Sequence, residues 1–266
     1  IKYIAVFLIP LHGICQLSPS QQKEADSLLL LINDASTADT TKAMCWLQFN
    51  YIYYRSNPDT AIFFSLKAKE ISEKTDFLKG KSKSHAWLGF LHFNKGEMPL
   101  AIEHHQKALE LFKEQDDKKG MANSYNTLAN IHKGQGELPL ALEYYQNSLR
   151  LSEEIGDKKG VGISLNNLGT VHADQGDNTL ALDYYRKSYR IREEIQDLSG
   201  MASSNNNIGV LLIQQGDTAL GLEAYLRGLS LYEQSGNRYG LSSARNNIGT
   251  IYRGRGQIDK ALEQFL

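Results

Sequence analysis

The sequence predicts an all-α fold, an α-α superhelix (solenoid) of stacked helix-turn-helix repeats. Three observations predict it. Glycines return at 80, 120, 160, 200 and 240 and again at 96, 136, 176, 216 and 256, and Ala or Gly returns at 61, 101, 141, 181, 221 and 261. A fixed interval of this size marks a repeat array. Within an interval the apolar spacing is helical: Leu142, Tyr145, Leu149 and Ile155 share one face, with Glu143, Asn147 and Arg150 on the wet side. Finally, the punctuation gives two helices per interval. Gly136 ends a first helix, because glycine enters the left-handed conformation cheaply. Pro139 then suits the first turn of a second helix, where its missing N–H is not needed, and Pro99 repeats that role one interval earlier. Gly156 closes the second helix, and Asp157 can cap the next.

Composition narrows the class. The 29 Lys and Arg balance 30 Asp and Glu across 266 residues, so no basic face for nucleic acid is expected. Cys15 and Cys45 cannot build a disulfide framework, and no paired-cysteine spacing suggests zinc.

Taken in order, residues 1–15 read as a signal peptide. The stretch IKYIAVFLIPL is too short to span a bilayer and has the shape of a secretory apolar region, with Gly13 and Cys15 suiting cleavage before Gln16. The chain is therefore expected to be exported or periplasmic; membrane contact would come only through segments absent from this sequence. A buried strand or helix at the N-terminus is the other reading of this stretch. Residues 16–41 are expected to hold a lone capping helix and loop, the helix running Ser20–Asn33 with Ser20 as its cap. The array occupies 42–266, with units starting near 42, 82, 122, 162, 202 and 242, the last truncated. Apolar Ala261, Leu262, Phe265 and Leu266 at the end suggest a piece of a longer protein.

Small residues set the packing distance. Gly169, Gly209 and Gly249 fall on first helices and Ala101, Ala141, Ala181 and Ala261 on second helices. Each mid-helix glycine costs about 1 kcal/mol of helix stability, so close approach must return more. Gly221 and Gly228 in the fifth unit predict its second helix to be the least stable, and Gln48 and Ser65 make the first unit irregular.

The residues Leu168, Gly169, His172, Ala181, Tyr185 and Ser188 resemble the Leu-Gly, aromatic, Ala, aromatic, Ala/Ser pattern of the tetratricopeptide repeat. The resemblance spans Thr41–Leu266. The longer repeat, with GDKKG followed by NNLG, resembles the subgroup found in kinesin light chains and cell-polarity scaffolds. Ala25–Ile71, with its string NPDTAI, is similar to the exported repeat regions of Bacteroidetes-type signalling proteins. That likeness implies an extracytoplasmic input region ahead of a membrane helix and a histidine kinase or cyclase. An exported free-standing scaffold and a cytoplasmic peptide-sensing regulator are the other readings.

The candidate binding residues are the repeated asparagines. Asn126, Asn166, Asn206 and Asn246 form one column on the first helices, Asn167, Asn207 and Asn247 its neighbour, and Asn130 lies on the same strip. An amide carries two donors and an acceptor, so a row of them can hold an extended peptide by its backbone; related arrays use asparagine ladders this way. The amides can equally bond to neighbouring helices and fix the register of the stack. A protein or peptide partner is expected, without cofactor or metal.

Other candidates have simpler readings. His92, His132 and His172 fall where the family has tyrosine and read as packing residues. His104 and His105 are adjacent and cannot share a face. The glycine pairs around Gln135 and Arg255 end helices and follow no strand, so they form no phosphate loop. Arg186, Lys187, Arg190 and Arg192, followed by Glu193 and Glu194, read as a solvated helix face. No catalytic constellation is visible, so the chain is not expected to be an enzyme.

Overall fold

A computed structural model describes residues 17–266; the expected signal peptide lies outside them. Thirteen helices and no strands occur among the described residues. They fall into two compact units divided after Gly120.

The first unit holds α1 (Pro19–Asn33), α2 (Asp39–Tyr53), α3 (Pro58–Lys74), α4 (Leu78–Asn94) and α5 (Met98–Glu114). Helix α1 starts earlier than the sequence suggests. Its cap is Ser18, whose hydroxyl accepts from the Gln21 amide while the Gln21 side chain accepts from the Ser18 N–H. Pro19, tolerated in a first turn, was the signal for that start. Helices α2 and α3 pack as one hairpin, and α4 and α5 as the next. The core of the first hairpin is aromatic: Phe64 stacks on Phe49 at 4.7 Å and on Trp46 at 5.5 Å, and Ala25 of α1 closes the cluster. Cys45 is a buried free thiol. The irregularity around Gln48 follows from the turn before α3, residues 54–57, one longer than the turn 95–97 before α5. Leu47 is buried and Gln48 faces solvent, bonded to Glu24 at 3.2 Å. Ser65 is buried and accepts from Asn50 at 3.0 Å.

The second unit holds most of α6 (Lys118–Gly134), then α7 (Leu138–Glu154), α8 (Lys158–Asp174), α9 (Asn178–Glu194), α10 (Leu198–Gln214), α11 (Thr218–Ser235), α12 (Arg238–Gly254) and α13 (Ile258–Phe265). Local chemistry sets the boundaries. Gly136 ends the turn after α6 at φ 81°, a left-handed conformation that side chains resist. Pro139 sits in the first turn of α7. Asp157 caps α8 by accepting from the Gly160 N–H at 3.1 Å, and Asp177, Asp197 and Asp217 cap α9, α10 and α11 the same way. The position of Gly156 is filled elsewhere by Asp76, Asp116 and Gln196, at φ 51°, 52° and 55°. Aspartate tolerates this region because its short side chain bonds locally.

The small residues do bring helices together. A Cβ on Gly169 would lie 2.8 Å from the Tyr185 ring and 3.1 Å from the Ala181 carbonyl oxygen. Ala61, Ala101, Ala141 and Ala181 are completely buried at the facing position. In the fifth repeat Gly221 replaces that alanine, and Ile213 compensates. Its Cγ1 stands 2.5 Å from where the missing Cβ would be, whereas the equivalent residue one repeat earlier is Ala173.

Candidate functional site

The first helices of successive repeats touch: α8 with α10, and α10 with α12. That contact puts the asparagine columns side by side. Asn167 Nδ2 donates to Asn126 Oδ1 at 2.9 Å, Asn207 Nδ2 to Asn166 Oδ1 at 3.2 Å and Asn247 Nδ2 to Asn206 Oδ1 at 3.1 Å. Each bond joins a residue to the one 41 positions earlier, so the two columns are rungs of a single amide line along α6, α8, α10 and α12.

The members are not equivalent. Asn166 is buried, and its oxygen also receives the Ser204 hydroxyl at 3.4 Å. Asn130 accepts the Tyr145 hydroxyl at 2.6 Å, so part of its capacity is spent inside the repeat. Asn126, Asn167, Asn206, Asn207 and Asn247 are half-buried, and Asn246 is exposed. A carboxamide offers two hydrogens and two lone pairs. A rung uses one hydrogen of one partner and one lone pair of the other. Every half-buried amide therefore keeps a donor or acceptor for a further partner at the surface.

The other repeated polar residues serve packing. His132 lies 5.5 Å from the Tyr144 ring, and His172 stacks on Tyr184 at 5.3 Å and 1°. In the first unit His92 stacks on His104 at 5.5 Å, and the His85 and His104 Nδ1 atoms approach to 3.0 Å. His105 occupies the place that Tyr145, Tyr185, Tyr225 and Phe265 hold in later repeats. It is 3% exposed, and neither ring nitrogen has a hydrogen-bond partner. Burial, and then the neighbouring His104, lower its pKa to about 4.

Arg192 corrects the reading of its basic run. It is buried, not solvated, and its Nη1 donates to the Gly200 carbonyl at 2.5 Å and to the Ser204 hydroxyl at 3.3 Å. Its position is that of Phe112 and Tyr232 in other repeats. Burial lowers its pKa; Asp197 opposes the shift. Among the described residues no group of three or more His, Cys, Asp or Glu is placed to hold a metal ion, and no helix is long and apolar enough to cross a membrane.

The family model described as tetratricopeptide repeat matches residues 82–146, 120–194 and 200–266. No curated protein sequence matches the chain. Among solved structures it is similar to aspartyl phosphate phosphatase F from Bacillus subtilis, at 15% identity and a TM-score of 0.72 over 92% of this chain and 66% of that one. It is also similar to a Rap protein complexed with competence and sporulation factor, at 16% identity and a TM-score of 0.63 over 92% and 74% of the two chains. A third is the apo form of the quorum sensor NprR from B. thuringiensis, at 15% identity and a TM-score of 0.63 over 92% and 79%. Identities this low carry the fold alone. The family match covers well over half of the sequence, and with the glycine, alanine and tyrosine positions described above it shows that the chain belongs to the tetratricopeptide repeat family.

Proposed function

We propose that this chain binds an extended peptide or protein segment along the amide line of its first helices. The observation that carries the reading is the set of half-buried asparagines, each engaged once across a repeat boundary and left with hydrogen-bonding capacity at the surface. The rungs fix amide orientation before a ligand arrives, which lowers the ordering cost of binding. Peptide N–H and C=O groups alternate along an extended chain and match such a row, so recognition would depend mainly on backbone. A Rap protein of similar fold holds competence and sporulation factor, and another similar structure is a quorum sensor, which favours a ligand-binding role. Placement as the exported input region of a signalling protein rests on Ile1–Gln16 and on the likeness of Ala25–Ile71. It requires a mature N-terminus at Gln16.

The test is a triple variant, Asn206→Ala, Asn246→Ala and Asn247→Ala. It removes one whole rung together with the exposed amide. Deleting both partners of a hydrogen bond leaves no orphaned group and is nearly neutral for stability. A peptide selected on the wild-type protein from a random library should bind the variant about tenfold to a thousandfold more weakly, as three hydrogen bonds of about 0.5–1.5 kcal/mol each imply. Its melting temperature should stay close to wild type. Unchanged affinity would leave the amides a packing role only.

A further inference from the structure

One repeat departs from the others in a way that opens a pocket. Tyr144 and Tyr184 fill the space beside His132 and His172. At the matching positions stand Ala224 on α11 and Leu212 on α10, and Asn205 stands where Tyr125 packs on Tyr144. Compared with α6 and α7, three aromatic rings are thus missing from one place, whereas α8 and α9 lack only the first, with Leu165 at the position of Tyr125. The result is a pocket of about 440 Å³ between α9 and α11, with α10 as its floor. That is within the usual range for small-molecule sites, roughly 300–1,000 Å³.

The lining has two characters. Ile208, Leu212 and Leu220 supply an apolar wall. Arg186, Arg190 and Arg227 supply charge. Arg227 pairs with Glu223 on its own helix, but Arg186 and Arg190 make no ion pair or hydrogen bond among the described residues. Two unpaired guanidiniums side by side on α9 repel each other and favour an anion between them. Asn205 lines the same pocket: the residue is only 7% exposed and makes no hydrogen bond, and its amide keeps contact with solvent, so its donor and acceptor stay open to a ligand.

We propose that this pocket binds an amphipathic organic anion. The apolar body lies against Ile208, Leu212 and Leu220, the carboxylate faces Arg186 and Arg190, and a polar atom meets Asn205. Such an anion is either a free aryl or alkyl carboxylate or an acidic side chain beside an apolar one in a protein segment. The site is separate from the amide line and does not depend on that reading.

The probe is 8-anilinonaphthalene-1-sulfonate, an aromatic anion whose fluorescence rises in apolar surroundings, added to the folded chain. Saturable binding is expected. Ala224→Tyr, which restores the ring present at Tyr144 and Tyr184, should weaken it at least tenfold, and Ala224→Gln, which copies Gln264, provides a second filled variant. Arg186→Gln with Arg190→Gln should weaken the anionic probe at least fivefold and change neutral N-phenyl-1-naphthylamine less than twofold. Displacement by 3-phenylpropionate assigns a free acid, and displacement by an acetylated Glu-Phe-Glu peptide assigns a protein segment. Displacement by neither, or filled variants that bind within twofold of wild type, would overturn the proposal.

Discussion

Tyr145→Ala is expected to lower the unfolding free energy by about 3–5 kcal/mol, the range for removing a fully buried aromatic ring. Tyr145 is completely buried among Ala129, Ala141, Leu168 and Val171, and so joins α6, α7 and α8. The hydroxyl is a smaller matter. It donates to Asn130 at 2.6 Å, so Tyr145→Phe should cost about 0.5–1.5 kcal/mol. The tyrosine equivalent one repeat on makes a longer bond, Tyr185 to Thr170 at 3.3 Å, and Phe265 has no hydroxyl. The ring is the constant feature and the bond an addition. Urea unfolding of the two variants reads both terms. A loss below 1 kcal/mol for the alanine variant would mean that this ring does not hold the repeats together.

Acid should weaken the first unit. His105 has its pKa lowered to about 4 by burial first and then by His104. His85 is lowered to about 4 by burial, then by His104, with Lys69 and Lys107 acting the same way and Glu73 opposing. A base with a depressed folded pKa takes up its proton more readily when unfolded. Its contribution is complete above the ordinary histidine value of about 6.5 and is lost as pH falls toward 4. From pH 7 to pH 4.5 the two histidines together should remove about 2–4 kcal/mol, with His85 discounted for its partial exposure. Urea midpoints at the two pH values measure it. His105→Phe, which copies Phe265, should recover more than half of the difference. A variant with the full wild-type pH dependence would show that His105 does not carry the effect.

Much of this architecture was legible in the residues. Gly136, Pro139 and Asp157 mark helix ends by mechanisms that need no tertiary contact, and the interval between them gives the hairpins. Gly169 facing Ala181 could be read as close packing because both sites repeat. The rungs could not be read. They run from Asn126 to Asn167 and from Asn166 to Asn207, across columns instead of along them, and that offset depends on how one first helix lies against the next. Arg192 and Ala224 were hidden for a different reason. A run of basic residues looks solvated, and a lone alanine looks ordinary. Set beside Tyr232 and Tyr184 at the same points of the period, each is an exception, and one buries a charge while the other leaves a pocket. The shift from Ser20 to Ser18 at α1 was signalled by Pro19, which suits a first turn better than any position further in.

Peptide binding along the first helices requires the half-buried amides to meet the ligand directly. The direct measurement uses protein labelled with nitrogen-15 at asparagine alone, titrated with the selected peptide while side-chain amide resonances are followed by NMR. Signals of Asn167, Asn206, Asn207, Asn246 and Asn247 should move together and saturate with the peptide, while those of Asn147 and Asn178 on α7 and α9 stay in place. Movement confined to Asn147 and Asn178, with the amide line unchanged at saturation, would contradict it.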